Sequence, residues 1–206
     1  MKVRRKSIPG EFKRKADENI LKEASQAKIY QLKIALRDMR PSIWRRVQVR
    51  SDVTLAKLHR IVQTAMGWYD SHLHQFIVGD TYYGVPSIDD LSEVEDERKK
   101  RLGQLLSKPQ RRITYEYDFG DGWEHEILLE KILPPEPGVR YPRCIGGARA
   151  CPPEDCGGTG GYENFLAAIR DPGHEEHEEM LEWIGGEFDP EEFDLDEFDI
   201  ALRHIR

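Results

Sequence analysis

The chain has no run of about 18 apolar residues, so no segment reads as a membrane-spanning helix. Its first residues, MKVRRKSIPGEFKRK, are basic and lack the apolar stretch of a signal peptide. Cysteine is scarce as well. Three in 206 residues is an odd, low number that argues against an oxidised, disulfide-stapled scaffold. A soluble protein of the cytoplasm, with no membrane partner, is the expectation. A chain of this length suits one domain with appendages, and needs no staples to bury its core. Apolar residues are modest at 38% and charged residues high at 33%, which fits a globular body with solvated, charged excursions.

The net charge of −7 is unevenly spread. Residues 1–27 carry eight Lys and Arg against four acids, a net of +4, whereas residues 171–206 carry fourteen acids against two Arg, a net of −12. An acidic tail repels phosphate, so nucleic acid is a partner only for the basic N-terminal arm. Phe12, Ala16, Ile20 and Ala24 give that arm a thin apolar stripe, too weak for a core helix. Residues 1–27 are therefore expected to be a helical arm, and residues 28–206 a single domain.

In the body, Tyr30, Leu32, Ile34 and Leu36 alternate with polar residues, as do positions 43–49, which predicts a hairpin. Thr54 precedes a helical face of Leu55, Leu58, Val62, Ala65 and Met66, and Gly67 stands at the expected left-handed cap. Residues 72–78 predict a third strand, and Tyr82 and Tyr83 open a fourth. This order resembles a β-grasp opening, and the fold class expected is α+β: a mixed or antiparallel sheet built from hairpins, with packed helices. Residues 86–110 read as an exposed connection, with a helical turn at 102–106, because positions 93–101 are almost entirely charged. A second hairpin spans 112–133, a Gly/Pro/Cys-rich loop covers 138–161, and three helices close the chain.

A three-residue turn ending at Gly122 would pair Phe119 with Trp123, Tyr117 with His125, and Tyr115 with Ile127, leaving one face apolar except for His125. The other face would then oppose Asp118 to Glu124 and Glu116 to Glu126. Like charges destabilise a ladder, so a cation is expected nearby, with Arg45, Arg46 or a metal ion as candidates. The alternative, favoured for isolated surface carboxylates, is that this face is simply wet and screened.

Four strings coincide: Ile43-Trp44-Arg45-Arg46-Val47, His72-Leu73-His74-Gln75-Phe76, Tyr115 to His125 (YEYDFGDGWEH), and Cys151 to Gly158 (CPPEDCGG). From about Tyr30 onward the chain resembles the plasmid pRiA4b ORF-3-like family. The resemblance implies an α+β domain; some members carry a mobile-element or resolvase-like label. Neither the activated serine of serine recombinases nor an Arg-His-Arg-Tyr constellation is visible here. The Asp-Phe-Gly triplet lacks the glycine-rich and catalytic loops of a kinase.

Cys144, Cys151 and Cys156, spaced C-x6-C-x4-C, could hold zinc with His125 as a fourth ligand; the alternative is that they pack as small hydrophobes. His72 and His74 project from one strand face, as metal ligands, proton relays or satisfied core residues. With Asp118, Asp121, Glu154 and Asp155 they form the candidate binding set. Gly157 to Gly161 precedes a helix but lacks the Lys-Ser/Thr of a P-loop, and is read as a tight turn against the hairpin. No nucleophile–base–orienter set is visible, so no catalytic residue is assigned. The preferred reading is a binding or adaptor module of a mobile-element-associated family, meeting another protein through its acidic helices and aromatic hairpin. The alternative is a metal-dependent, hydrolase-like enzyme with Asp118, Asp121 and His125 near the ion.

Overall fold

The structure, a computed structural model, describes residues 27–86 and 94–205. The N-terminal arm read from the sequence lies, but for Ala27, outside them. Eight strands form one sheet: β1 (Ile29–Leu36), β2 (Trp44–Arg50), β3 (His74–Val78), β4 (Thr81–Gly84), β5 (Val94–Asp96), β6 (Arg112–Tyr117), β7 (Trp123–Leu133) and β8 (Arg143–Ala148). Their order is β5-β4-β3-β6-β7-β1-β2-β8. Neighbours run antiparallel except β4 and β5. The helices are α1 (Leu55–Met66), α2 (Leu102–Leu105), α3 (Gly158–Arg170), α4 (His177–Ile184) and α5 (Leu195–Arg203). Among the described residues no helix is long and apolar enough to cross a membrane.

The α+β class read from the patterning is observed. Thr54 caps α1 by accepting the Lys57 N–H at 3.2 Å, and Gly67 closes it at φ 77°. The buried face of α1 (Leu55, Leu58, Ile61, Val62, Ala65) joins Leu32, Ile34, Val47, Phe76, Ile113, Tyr115, Ile127 and Leu129 in one core. Helix α5 packs on β8 and α1, and α3 on α4. The hairpin–helix–strand order holds, but the sheet outgrows a β-grasp: β3 is separated from β1 by β6 and β7.

The second hairpin is shifted from the expected register. Tyr117 faces Trp123, Tyr115 faces His125, and Ile113 faces Ile127, so the loop has five residues, 118–122, rather than three. Moving the register by two residues preserves both faces, which is why apolar patterning cannot tell the two apart. Phe119 is consequently half exposed rather than buried against Trp123. The opposed acids are Glu116 and Glu124. Gln75 donates to Glu116 at 2.6 Å and Arg37 to Glu124 at 2.5 Å, while Arg112 meets Glu126 at 2.9 Å.

Arg45 is not the cation of that face. It is cross-strand from Ile34 and points into the core with no exposure. There its guanidinium donates to the carbonyls of Ala65, Trp44 and Ala148 and to the Cys151 sulfur, and lies over the rings of Phe193 and Phe198. Arg46 points the other way, to Glu130 at 2.7 Å. The charged run at 93–101 is also not simply solvated. Val94–Asp96 adds a parallel edge strand, and Glu97 is buried at 3% exposure. Within 138–161 the chain forms β8, paired with β2.

Candidate functional site

Three loops meet at one end of the sheet: residues 67–73 between α1 and β3, residues 118–122 between β6 and β7, and residues 152–157 before α3. Side chains hold the first of these almost residue by residue. Glu154 accepts the Tyr69 N–H at 3.2 Å, the Gln63 side chain accepts the Asp70 N–H at 3.0 Å, and the Tyr117 hydroxyl accepts those of Ser71 and His72 at 2.9 and 3.3 Å. Asp118, at φ 55°, turns the second loop and accepts the N–H groups of Gly120 and Asp121. Asp121 in turn accepts the Gly157 N–H at 3.1 Å. A Cβ on Gly158 would strike the Asp121 carbonyl, and one on Gly161 the Cys156 carbonyl, so only glycine lets the third loop approach. The Gly157–Gly161 segment is thus a tight turn against the hairpin that runs into the first turn of α3.

Among the described residues, two groups bring three ligand atoms within 4.8 Å of one another: His59 with Asp70 and His74, and His72 with Asp118 and Asp155. They differ in how well hydrogen bonds satisfy them. In the first group, Gln63 is fixed by its carbonyl accepting Asp70 N–H, so its amide donates to the Tyr115 hydroxyl at 2.9 Å. That hydroxyl has one proton left and gives it to His59 Nδ1 at 2.8 Å. His59 Nε2–H then donates to Asp70 at 2.8 Å. The circuit closes with His59 neutral, and burial, with His74 next in weight, pushes its pKa down. His74 stacks on His59 at 3.5 Å between centroids and pairs with buried Glu97 at 2.8 Å. Every described polar atom of His59 has a protein partner, so this group fits a structural network better than an ion.

The second group is different. Asp155 Oδ1 lies 2.9 Å and Asp118 Oδ2 3.6 Å from His72 Nε2. The Asp118 oxygen is too far to bond the ring nitrogen and the Asp155 oxygen lies off its N–H direction, so among the described residues that buried nitrogen makes no hydrogen bond. A nitrogen and two carboxylates that converge without bonding one another fit a shared cation. One imidazole with two carboxylates suits zinc or manganese better than the all-oxygen shells of calcium and magnesium.

Of the residues read from the sequence, His72, Asp118 and Asp155 converge, with Glu154 and Asp121 bracing their loops. His74 lies in the other network. His125 is fully buried between Trp68 and Tyr115, at 5.2 and 5.4 Å between centroids, with neither ring nitrogen hydrogen-bonded. Burial lowers its pKa to about 4. The cysteines have separate surroundings. Cys144 contacts the Gly146 carbonyl, Cys151 lies 3.3 Å from both Met66 sulfur and Arg45, and Cys156 is next to Asp121. All three are free, and burial raises each pKa, that of Cys156 to about 12, so they are protonated thiols. Neither ligand group contains a cysteine.

Sequence reasoning missed Tyr117, His59, Gln63, Asp70 and Glu97. His59 carried a signal: it occupies the 55-59-62-66 stripe of α1, where a polar residue needs a buried partner.

The architecture defines a class of α+β protein: a broad, almost wholly antiparallel sheet with helices over its core face and a His/Asp cluster at one end. The chain belongs to the plasmid pRiA4b ORF-3-like protein family, whose model matches residues 28–197. The uncharacterized protein y4hQ of Sinorhizobium fredii is 39% identical over 160 residues, covering 77% of this chain and 82% of the relative. A protein of unknown function from Methanosarcina mazei, known from a crystal structure, is similar at 40% identity and a TM-score of 0.75. That match covers 82% of this chain and 97% of the other.

Proposed function

We propose that the chain is a metal-dependent, hydrolase-like protein whose divalent ion is held by His72, Asp118 and Asp155. The observation that carries this reading is the buried, unbonded His72 Nε2 beside two convergent carboxylates. Three protein ligands, one of them the largely exposed Asp155, leave coordination positions open to solvent, as catalytic rather than structural sites do. Such an ion would supply Lewis-acid activation of water. The protein's own part is positioning: Tyr117 fixes the His72 backbone, and Asp121 fixes the loop that carries Asp155. The free thiols support a reducing, cytoplasmic setting, and the family's plasmid-derived description supports a role alongside mobile elements.

The test is zinc and manganese titration of the apo-protein, with thermal melting as a second readout, since an ion that binds only the folded state raises its stability. Near-stoichiometric uptake is expected, lost in His72→Ala and Asp118→Asn and retained in Cys144→Ser. Uptake that survives His72→Ala would sink the reading. A binding-module reading is favoured by one feature, the exposed Tyr69, Leu73 and Phe119 that rim the same site.

A further inference from the structure

The carboxylates around the His72 loop have no lysine or arginine among their described partners. Asp118 meets His72 and backbone N–H groups, Asp121 meets Gly157, Glu154 meets Tyr117 and Tyr69, Asp155 meets His72, and Asp70 meets His59. The sequence has the same bias: residues 61–97, 113–130 and 150–169 contain neither Lys nor Arg. Elsewhere on the sheet, acids are paired with arginine, as in Arg37–Glu124 and Arg46–Glu130. A divalent ion at His72, Asp118 and Asp155 offsets two of these five negative charges and leaves three. The field at the site therefore stays negative with the ion in place, concentrating cations and repelling phosphate or carboxylate.

Three large apolar side chains stand open at the same end: Tyr69 at 85% exposure, Leu73 at 70% and Phe119 at 50%. Each is tied to a site residue. The Tyr69 N–H is on Glu154, the Leu73 carbonyl accepts the Asp118 N–H at 2.9 Å, and Phe119 follows Asp118. Exposed aromatic faces next to uncompensated carboxylates recognise a guanidinium or ammonium by combining cation–π attraction with ion pairing. An apolar side chain neighbouring that cation finds Leu73.

We infer that the His72 site takes an arginine- or lysine-bearing peptide segment as its ligand, with Tyr69 and Phe119 receiving the cation and Asp121 its charge. This rests on the metal-site reading. The experiment is calorimetric titration of the full chain, loaded with manganese, using a blocked hexapeptide of alternating arginine and leucine. Controls replace arginine by glutamate or by phosphoserine, and spermidine serves as a non-peptide cation. The arginine peptide is expected to bind alone among the four, less tightly as salt rises. Affinity should fall about tenfold in Asp121→Asn and in the Tyr69→Ala, Phe119→Ala double variant. Preference for the phosphoserine peptide, equal binding of the arginine and glutamate peptides, or spermidine matching the arginine peptide overturns the inference. Manganese uptake is measured separately, so retained uptake without peptide binding removes the ligand class and leaves the metal site. Uptake unchanged in His72→Ala removes the metal reading itself.

Discussion

The Tyr117 hydroxyl donates to Glu154 Oε1 over 2.5 Å while accepting the N–H groups of Ser71 and His72. One buried oxygen thus joins the strand β6, the loop that carries His72 and the loop that carries Asp155. Burial and the Glu154 contact push the Tyr117 pKa well up, so it acts as a neutral donor at working pH. Tyr117→Phe keeps the ring and removes the junction. It should cost about 1–3 kcal/mol of stability, because three polar groups lose their partner. Metal affinity should fall about 10–100-fold, the usual effect of removing a group that orients a ligand. Denaturant melts and zinc titration of the same variant check both.

His125 makes stability pH-dependent. Its folded pKa is about 4, against about 6.5 when unfolded, so it stays neutral in the fold while the unfolded chain takes up a proton. Above pH 6.5 both states are deprotonated and the full stability is present. Between pH 6.5 and 4 the unfolded state binds more protons and stability falls, by about 2 kcal/mol at pH 5. His125→Leu removes the titrating group along with two buried nitrogens that lack hydrogen bonds. Denaturation at pH 7.5 and pH 5 should show the variant losing about 2 kcal/mol less than the parent between the two. An unchanged acid slope would place the proton elsewhere.

The elements were legible because their signals are local. The Thr54 cap, the Gly67 stop and the alternation of β1 each depend on a few neighbouring residues, and all three were found as expected. What the sequence hid is set by pairing across the sheet. Tyr117 and Trp123 face each other instead of Phe119 and Trp123, because both registers bury the same faces. Glu97 looked solvated in a run of charges, and its burial follows only from His74 reaching it. The candidate site was half visible: His72, Asp118 and Asp155 stood out as residue types, but loops far apart in sequence bring them together.

Among the described residues Arg45 is a buried cation without a carboxylate partner, held by three carbonyls, a thiol and two aromatic rings. It ties β2 to the end of α1, to β8 and to the segment leading into α5. Arg45→Met leaves the Ala65 and Ala148 carbonyls unmatched and should destabilise the fold by about 3 kcal/mol. Arg45→Lys should recover little, since a single ammonium cannot reach acceptors arrayed around a planar fork. Phe193 and Phe198 lose their cation in Arg45→Met, and in both variants they lose the planar guanidinium stacked over them. Limited proteolysis near residues 190–200 should accelerate in both, relative to the parent chain.

Gly161 packs against the end of the loop that carries Asp155. Its α-carbon packs against the Cys156 carbonyl so closely that a methyl group has no room, and the atom in the way is backbone rather than a movable side chain. Gly158 has the same problem with the Asp121 carbonyl and adds a left-handed φ of 69°. An alanine at Gly158 must push the start of α3 away from the hairpin, and one at Gly161 must displace the Cys156 carbonyl at the end of the 152–157 loop. Gly160, where an added Cβ meets nothing, is the matched control on the same turn of helix. Gly161→Ala and Gly158→Ala should each cost about 1–3 kcal/mol or more. They should also weaken metal uptake, because the carboxylate of Asp155 moves with its loop. Gly160→Ala should leave uptake unchanged and hold or slightly raise stability, as alanine favours a helix over glycine by about 1 kcal/mol. Equal metal affinity in all three variants would mean that the placement of Asp155 does not depend on this close approach.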